Sequence, residues 1–278
     1  MTITFDDLPA HGSLPPGVSR VDVAKKIIAA LKDARLPPMY GFVNGADIEQ
    51  HPADEGVLKA WRDAGNPLGD HSWSHMNLNQ HSLEEFEADV KRNQPLLAKH
   101  TRDGDWHWFR FPFLAEGDTA EKKSGVRKFL RDQGYKVAAV TMSFGDYRWT
   151  ESYARCKAKG DDKAIALLQN TFLGAAEEDI SYYRSMSLAL YGRDIPYVLL
   201  MHIGALDAEL MPRILELYKS KGFQFVTLPQ AESDEFYKID TDLNVAPGAD
   251  MLEGVMAEGH LQPPAHKAPE VDFERICR

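Results

Sequence analysis

Short apolar runs alternate with helical periodicity along most of the chain. Residues 2–5 form an apolar and β-branched run that predicts a strand. Val18, Val21, Ala24, Ile27, Ile28 and Leu31 then recur at the spacing of one helix face, behind Ser19 as a cap. Residues 39–43 predict the next strand, and Val57, Leu58 and Trp61 mark a helix ended by Gly65. A short extended stretch follows at 67–69. Ser82-Leu83-Glu84-Glu85 fits a capping box, and Leu83, Phe86, Val90 and Leu97 carry that helix on. Residues 106–111 predict an aromatic strand, 119–134 a helix, 137–141 an extended run and 197–203 an apolar strand. A helix over 206–221 closes on Gly222, and 223–228 predicts the last strand.

This alternation predicts an α/β fold with a mainly parallel sheet. About seven strands suit a distorted (β/α) barrel better than a minimal open sheet. Two regions break the rhythm. Residues 151–195 predict a helical insertion, and 231–278 lack clear periodicity. The expected organisation is one barrel over 1–230 carrying that insertion, with 231–278 as a C-terminal tail packed on it.

Composition narrows the function. The 32 Lys+Arg against 42 Asp+Glu give a formal net charge of −10. No basic cluster of the kind a nucleic-acid binder carries is present. An acidic surface favours neutral or cationic substrates, and no apolar run reaches transmembrane length. Cys156 and Cys277 cannot make a four-thiolate zinc site; they form one disulfide or remain two thiols.

The chemistry-bearing residues follow strand ends. Asp6-Asp7 succeed the first strand, His71 and His75 the third, and Arg110 ends the aromatic one. Asp146 and Trp149 come after the fifth, and His202 ends the apolar sixth. In a parallel barrel these ends share the face where active sites are built. Each cluster alone has a plainer use. An acid pair also caps helices, a lone Arg makes salt bridges, and a His or Trp after an apolar run sits in cores. Two His at i, i+4, read as one side of a helical turn, plus one carboxylate make an open zinc site.

Taken together, the clusters resemble the polysaccharide deacetylases, the NodB-homology or carbohydrate esterase family 4 enzymes. Their five ordered motifs can all be placed. They are Thr4-Phe5-Asp6-Asp7, His71 to His75, Arg110-Phe111-Pro112-Phe113, Asp146 with Trp149, and Leu200-Met201-His202. The resemblance spans residues 2–228. Two departures alter the cleft rim: Leu8-Pro9 stands where the family has Gly, and Arg148 where it has Asp before the Trp.

The resemblance implies that Asp7, His71 and His75 hold one divalent metal ion, Zn2+ by preference. It implies Asp6 as catalytic base, Arg110 pairing with Asp6, Asp146 helping to hold that Arg, and His202 as acid. The Phe113 N–H would meet the oxyanion, while Trp149 and Leu200 would shape the acetyl pocket. The implied activity is metal-dependent removal of acetyl groups from N-acetylated sugar polymers or oligomers, chitin- or peptidoglycan-like. An O-acetyl ester deacetylase on xylan-type polysaccharide is the alternative, as are a metal-free amide hydrolase and a non-catalytic carbohydrate-binding protein on the same fold. The implied partner is an acetylated carbohydrate. Family members are often exported, so a periplasmic or secreted protein whose leader is absent from this sequence is expected, with a cytoplasmic one as alternative. In an exported protein Cys156 and Cys277 would pair. The insertion is expected to border the cleft, with Tyr153, Tyr182 and Tyr183 as aromatics for sugar rings.

Overall fold

The computed structural model describes residues 1–101, 106–249, 251–267 and 270–278. Thr2, Ile3, Thr4 and Phe5 are all fully buried, so strand β1 (Thr2–Leu8) has almost no solvent face. Such a strand belongs inside a parallel sheet covered on both sides. Helix α1 (Arg20–Asp33) starts at a capping box between Ser19 and Asp22 and turns Val23, Ala24, Ile27 and Leu31 inward. The alternation continues through β2 (Gly41–Val43), α2 (Ala46–Gln50), α3 (Glu55–Asp63), β3 (Leu68–Asp70) and α4 (Leu83–His100). It passes β4 (Trp108–Phe109), α5 (Ala120–Asp132) and β5 (Lys136–Val137). Two consecutive helices, α6 (Thr150–Lys159) and α7 (Asp162–Tyr191), fill the expected insertion. β6 (Val198–His202) returns beside β1 and leads into α8 (Ala205–Ser220). The C-terminal segment carries α9 (Leu228–Ala231), α10 (Lys238–Thr241) and α11 (Leu252–Glu258).

All strands pair in parallel, in the order β5-β4-β3-β2-β1-β6. The two edges then approach each other. Past β5 the chain reaches β6, where Met142 donates to Val198 O at 3.1 Å and accepts from Leu200 N–H at 3.0 Å. The sheet therefore curls into a distorted barrel. Glu232, in the segment after α9, accepts the Ala139 N–H at 2.9 Å along this seam.

The described strands number six, not the expected seven. Residues 223–228 run beside the start of β1, with Val226 N–H on Met1 O at 2.9 Å. A Thr227–Gln230 capping box and Pro229 turn the chain into α9 before a ladder can form. The aromatic strand is cut to two residues because Pro112 starts a 3-10 turn at Pro112–Leu114.

The C-terminal segment is tied to the insertion. Phe273 O accepts from Ser152 Oγ at 2.9 Å and from Arg155 at 2.6 Å, and Cys277 is bonded to Cys156. Among the described residues no helix is long and apolar enough to cross a membrane. The disulfide closes a loop of 121 residues. In the chain-entropy account such a closure stabilises by about 4–5 kcal/mol. Urea titration of the Cys156→Ala, Cys277→Ala double variant should show a loss of that order. Denatured wild-type protein kept from reductant should expose no thiol to a colorimetric reagent.

Candidate active site

The site is assembled where β1, β3, β4 and β6 end. Asp6 stays in register with His202 across the β1–β6 pair. Asp7 leaves the strand with φ of 65°, a left-handed conformation that Asp tolerates better than most residues. His71 and His75 lie on a loop, not on one side of a helical turn as the spacing suggested. Ser72 and His75 both have positive φ, at 61° and 56°. Buried Asp70 braces this loop, accepting from Ser72 N–H at 2.9 Å, Asn93 Nδ2 at 2.8 Å and the Tyr135 hydroxyl at 2.5 Å. Burial pushes the Asp70 carboxyl up to about 6.

Three ligand atoms converge. The Nε2 atoms of His71 and His75 lie 3.5 and 3.4 Å from Asp7 Oδ1, which is buried and has no hydrogen-bond partner among the described residues. The Nδ1 of His71 is 2.7 Å from Arg110 O. That bond needs a proton on Nδ1; in the neutral ring the lone pair is then on Nε2, the arrangement a metal-binding histidine shows. Burial, and then the charge of His71, push His75 down to about 4, against the opposing pull of Asp7 and Asp6. It is therefore neutral at physiological pH, as a ligand must be. Burial alone would raise Asp7. The hydrogen bond from His11 and the charges of His202 and His71 outweigh that and hold it well below the usual carboxylate range. One carboxylate and two imidazoles with an orphaned oxygen between them fit a divalent cation of the zinc class.

Beside this trio, Asp6 is paired with Arg110. The Nη1 atom is 3.2 Å from both Asp6 oxygens, while Nε donates to Ala138 O and Nη2 to Thr4 Oγ1 and Ala139 O. Asp146 was expected to steady Arg110, but it holds His202. Its Oδ1 accepts from His202 Nδ1 at 2.9 Å and its Oδ2 from the His202 backbone N–H at 2.6 Å. The reason is placement: Asp146 opens the 3-10 turn Asp146–Trp149 beside β6, and Arg110 already has its partners on β1 and the seam. Burial would lower His202, but the charge and hydrogen bond of Asp146, aided by Asp7 and Asp6, raise it to about 10. At neutral pH the ring is an imidazolium with Nε2 outside the Asp146 bond.

Trp149 was expected in the acetyl pocket. It is fully buried instead, packed against Phe172 and Phe273 with its Nε1 donating to Thr171 Oγ1. Phe273 comes from the far end of the chain and completes that cluster. The exposed aromatics at the mouth are Phe113, whose ring lies 4.4 Å from His75, and Tyr147, 5.6 Å from His202. Leu200 shares a face of β6 with His202 two residues on. Of the tyrosines expected to meet sugar, Tyr153 and Tyr183 are buried, and Tyr182 packs on Tyr183 and His266.

Two residues escaped the sequence reading. His11 donates from Nδ1 to Asp7 Oδ2 at 2.7 Å, and its ring lies 4.4 Å from that of His202. Its position four residues after Asp7 was the available signal. Asp207, buried in the first turn of α8, lies next to Asp146. In sequence it is indistinguishable from an acid complementing a helix N-terminus.

Comparison with known proteins bears on the family and the fold. The sequence model of the family described as polysaccharide deacetylase matches residues 1–151. A peptidoglycan-N-acetylglucosamine deacetylase, PgdA, of Listeria monocytogenes is 29% identical over 101 residues, which is 36% of this chain. The match covers only 19% of that relative's length. Among solved structures, the Xyl-CE4 domain of a multidomain xylanase from the hindgut metagenome of Trinervitermes trinervoides superposes with a TM-score of 0.56. It is 15% identical, over 91% of this chain and 97% of that one. A family 4 carbohydrate esterase pseudoenzyme from Bacillus anthracis gives a TM-score of 0.57 at 15% identity, over 83% of this chain and 64% of that one. At these identities the two structures speak for the shared fold. The family match spans more than half of the 278 residues and takes in the ends of β1, β3 and β4, so the chain belongs to the polysaccharide deacetylase family.

Proposed function

We propose that this protein is a zinc-dependent hydrolase that removes acetyl groups from N-acetylated sugar polymers or oligomers. One observation carries the reading: the buried, unpartnered Asp7 Oδ1 faces two imidazole Nε2 atoms at 3.5 and 3.4 Å. Asp7, His71 and His75 would hold the ion, which when bound polarises an acetyl carbonyl and acidifies water. Asp6, fixed by Arg110, accepts the proton of the attacking water. The backbone N–H of Phe113 donates to the developing oxyanion. His202, oriented by Asp146, donates a proton to the departing amine. Leu200 lies under the acetyl methyl group, and Phe113 and Tyr147 flank the sugar.

Both Asp6 and His202 are in place, which supports a working enzyme over a carbohydrate-binding protein on the same fold. The name of the Listeria relative supports an N-acetylglucosamine polymer as substrate. The Cys156–Cys277 disulfide supports action outside a reducing compartment.

Replacing a ligand and replacing the base should separate metal loading from turnover. His75→Ala should purify with little zinc. Asp6→Asn should keep zinc and lose about 10²–10⁴-fold in acetate release from chitin oligomers, the usual contribution of a general base. Elemental analysis beside an acetate assay reads both, and an Asp6→Asn protein without zinc would contradict the roles given.

His202→Ala should damage acetamide cleavage more than cleavage of an activated phenyl acetate, because an amine must be protonated to leave and a good phenolate need not be. Equal losses on both substrates would remove His202 from the role of acid.

The alkaline limb of the pH profile follows His202. An acid works while protonated, so activity should persist through neutral pH and fall only as pH approaches about 10. Asp146→Asn removes the charge that opposes burial. The alkaline limb should then move to lower pH, by more than a full unit, in kcat measured from pH 6 to 10.

A further inference from the structure

Asp207 is almost fully buried in the first turn of α8, yet among the described residues no basic, amide or hydroxyl side chain donates to either of its carboxyl oxygens. It lies close over Gly204: a Cβ built there would come within 2.2 Å of Asp207 Oδ2 and 3.4 Å of Thr150 Oγ1. Glycine thus leaves the room that lets this side chain fold back toward the end of β6. There its carboxyl comes within hydrogen-bond reach of that of Asp146, which is equally buried and whose two oxygens accept from His202 Nδ1 and the His202 N–H.

Two carboxyl groups facing each other have acceptors only. With both ionised, the pair would repel in a space closed to water. Other titratable groups near the pair are His202 on β6 and Tyr218 on α8, the latter a buried phenol. His202 in turn faces Asp7 and Asp6 from β1. A single proton between the carboxyls changes the balance. It turns an O···O repulsion into a charge-assisted O–H···O bond, among the strongest protein hydrogen bonds. The pair then carries one negative charge, which the His202 imidazolium matches.

We propose that Asp207 is a positioning residue: it donates a hydrogen bond to Asp146 and thereby fixes the carboxylate that aims His202 at the substrate. Burial first, and then the charge of Asp146, raise the Asp207 carboxyl well above its usual range, against the weaker pull of His202. Asp146 moves the other way, held down by His202 against burial. The two environments push two like groups apart, so that one keeps the proton and the other the charge. The proposal rests on His202 being the acid of the proposed function, but the bond itself can be read without turnover.

The test compares Asp207→Asn, which keeps a donor of the same shape, with Asp207→Leu, which fills the space without one. Infrared spectra at neutral pH should show a protonated-carboxyl band in the wild type that is missing from Asp207→Asn. Proton NMR should show a low-field His202 Nδ1–H resonance that survives in Asp207→Asn and is lost in Asp207→Leu. In acetate release, Asp207→Leu should lower kcat by roughly 10- to 100-fold, a part of what a general acid contributes, with KM within about twofold. Asp207→Asn should recover most of that loss. A missing protonated-carboxyl band in the wild type overturns the proposal. So does an unchanged His202 resonance and kcat in Asp207→Leu, or equal damage by both substitutions. If Asp207→Leu does not fold, the wild-type and Asp207→Asn spectra still decide. If no sugar is deacetylated, the spectra stand and only the proposed function fails.

Discussion

A single guanidinium ties the site to the fold. Arg110 is about 1% exposed and crosses the barrel interior from the end of β4. It reaches Asp6 and Thr4 on β1 and the carbonyls of Ala138 and Ala139 at the seam. Its own carbonyl accepts from His71. One residue therefore holds the Asp6 carboxylate, keeps a proton on His71 Nδ1, and pins the segment that closes the sheet. Desolvating such a charge costs several kcal/mol, offset only when every donor finds a partner. Lysine could match the charge but not the fork: three acceptor directions in one plane need a guanidinium.

The same charge matching runs through the mouth of the barrel and shows where it is incomplete. Asp6 is matched by Arg110, and Asp146 by His202. Among the described residues Asp7 has the His11 hydrogen bond on one oxygen and no hydrogen bond on the other. A buried ionised oxygen with no donor is costly, and the two imidazole Nε2 atoms beside it, at 3.5 and 3.4 Å, lie beyond the range of a good hydrogen bond. A bound cation removes that cost. A divalent cation at this point would satisfy the local electrostatics as well as the proposed reaction.

Much of this was legible in the sequence, for definite reasons. A parallel barrel puts chemistry at strand ends, so polar residues following apolar runs named Asp6, Asp7, His71, His75, Arg110 and His202 directly. What stayed hidden depends on contacts distant in sequence. Trp149 reads as a pocket wall until Phe273, more than a hundred residues later, covers it. Asp146 reads as a partner for Arg110 because nothing local says which strand end it will face. His11 was masked by the Leu8-Pro9 departure just before it. The seventh strand was overcounted because an apolar run does not reveal that Thr227 and Pro229 will start a helix. Each miss is a tertiary choice between local options that were all sterically open.

The backbone at the site shows what this precision costs. Asp7, Ser72, His75, Phe113 and Leu114 all hold positive φ, five of the eight non-glycine residues that do among the described residues. Left-handed backbone is uncommon for side-chain-bearing residues, and held strain of this kind costs on the order of 1–3 kcal/mol per residue. Glycine would relieve it at every one of these positions. It would also delete the carboxylate of Asp7 and the imidazole of His75, and at Phe113 the exposed ring beside His75. The strain is sustained because the surroundings over-determine it. Asp70 and Asn44 hold the His71 loop, β1 is buried on both sides, and Pro112 fixes entry to the Phe113 turn. A site that must place a carboxylate oxygen between two imidazoles cannot use relaxed extended strands, whose side chains alternate away from the mouth. Bending the chain just past each strand end turns these side chains inward, and the buried sheet below keeps them there.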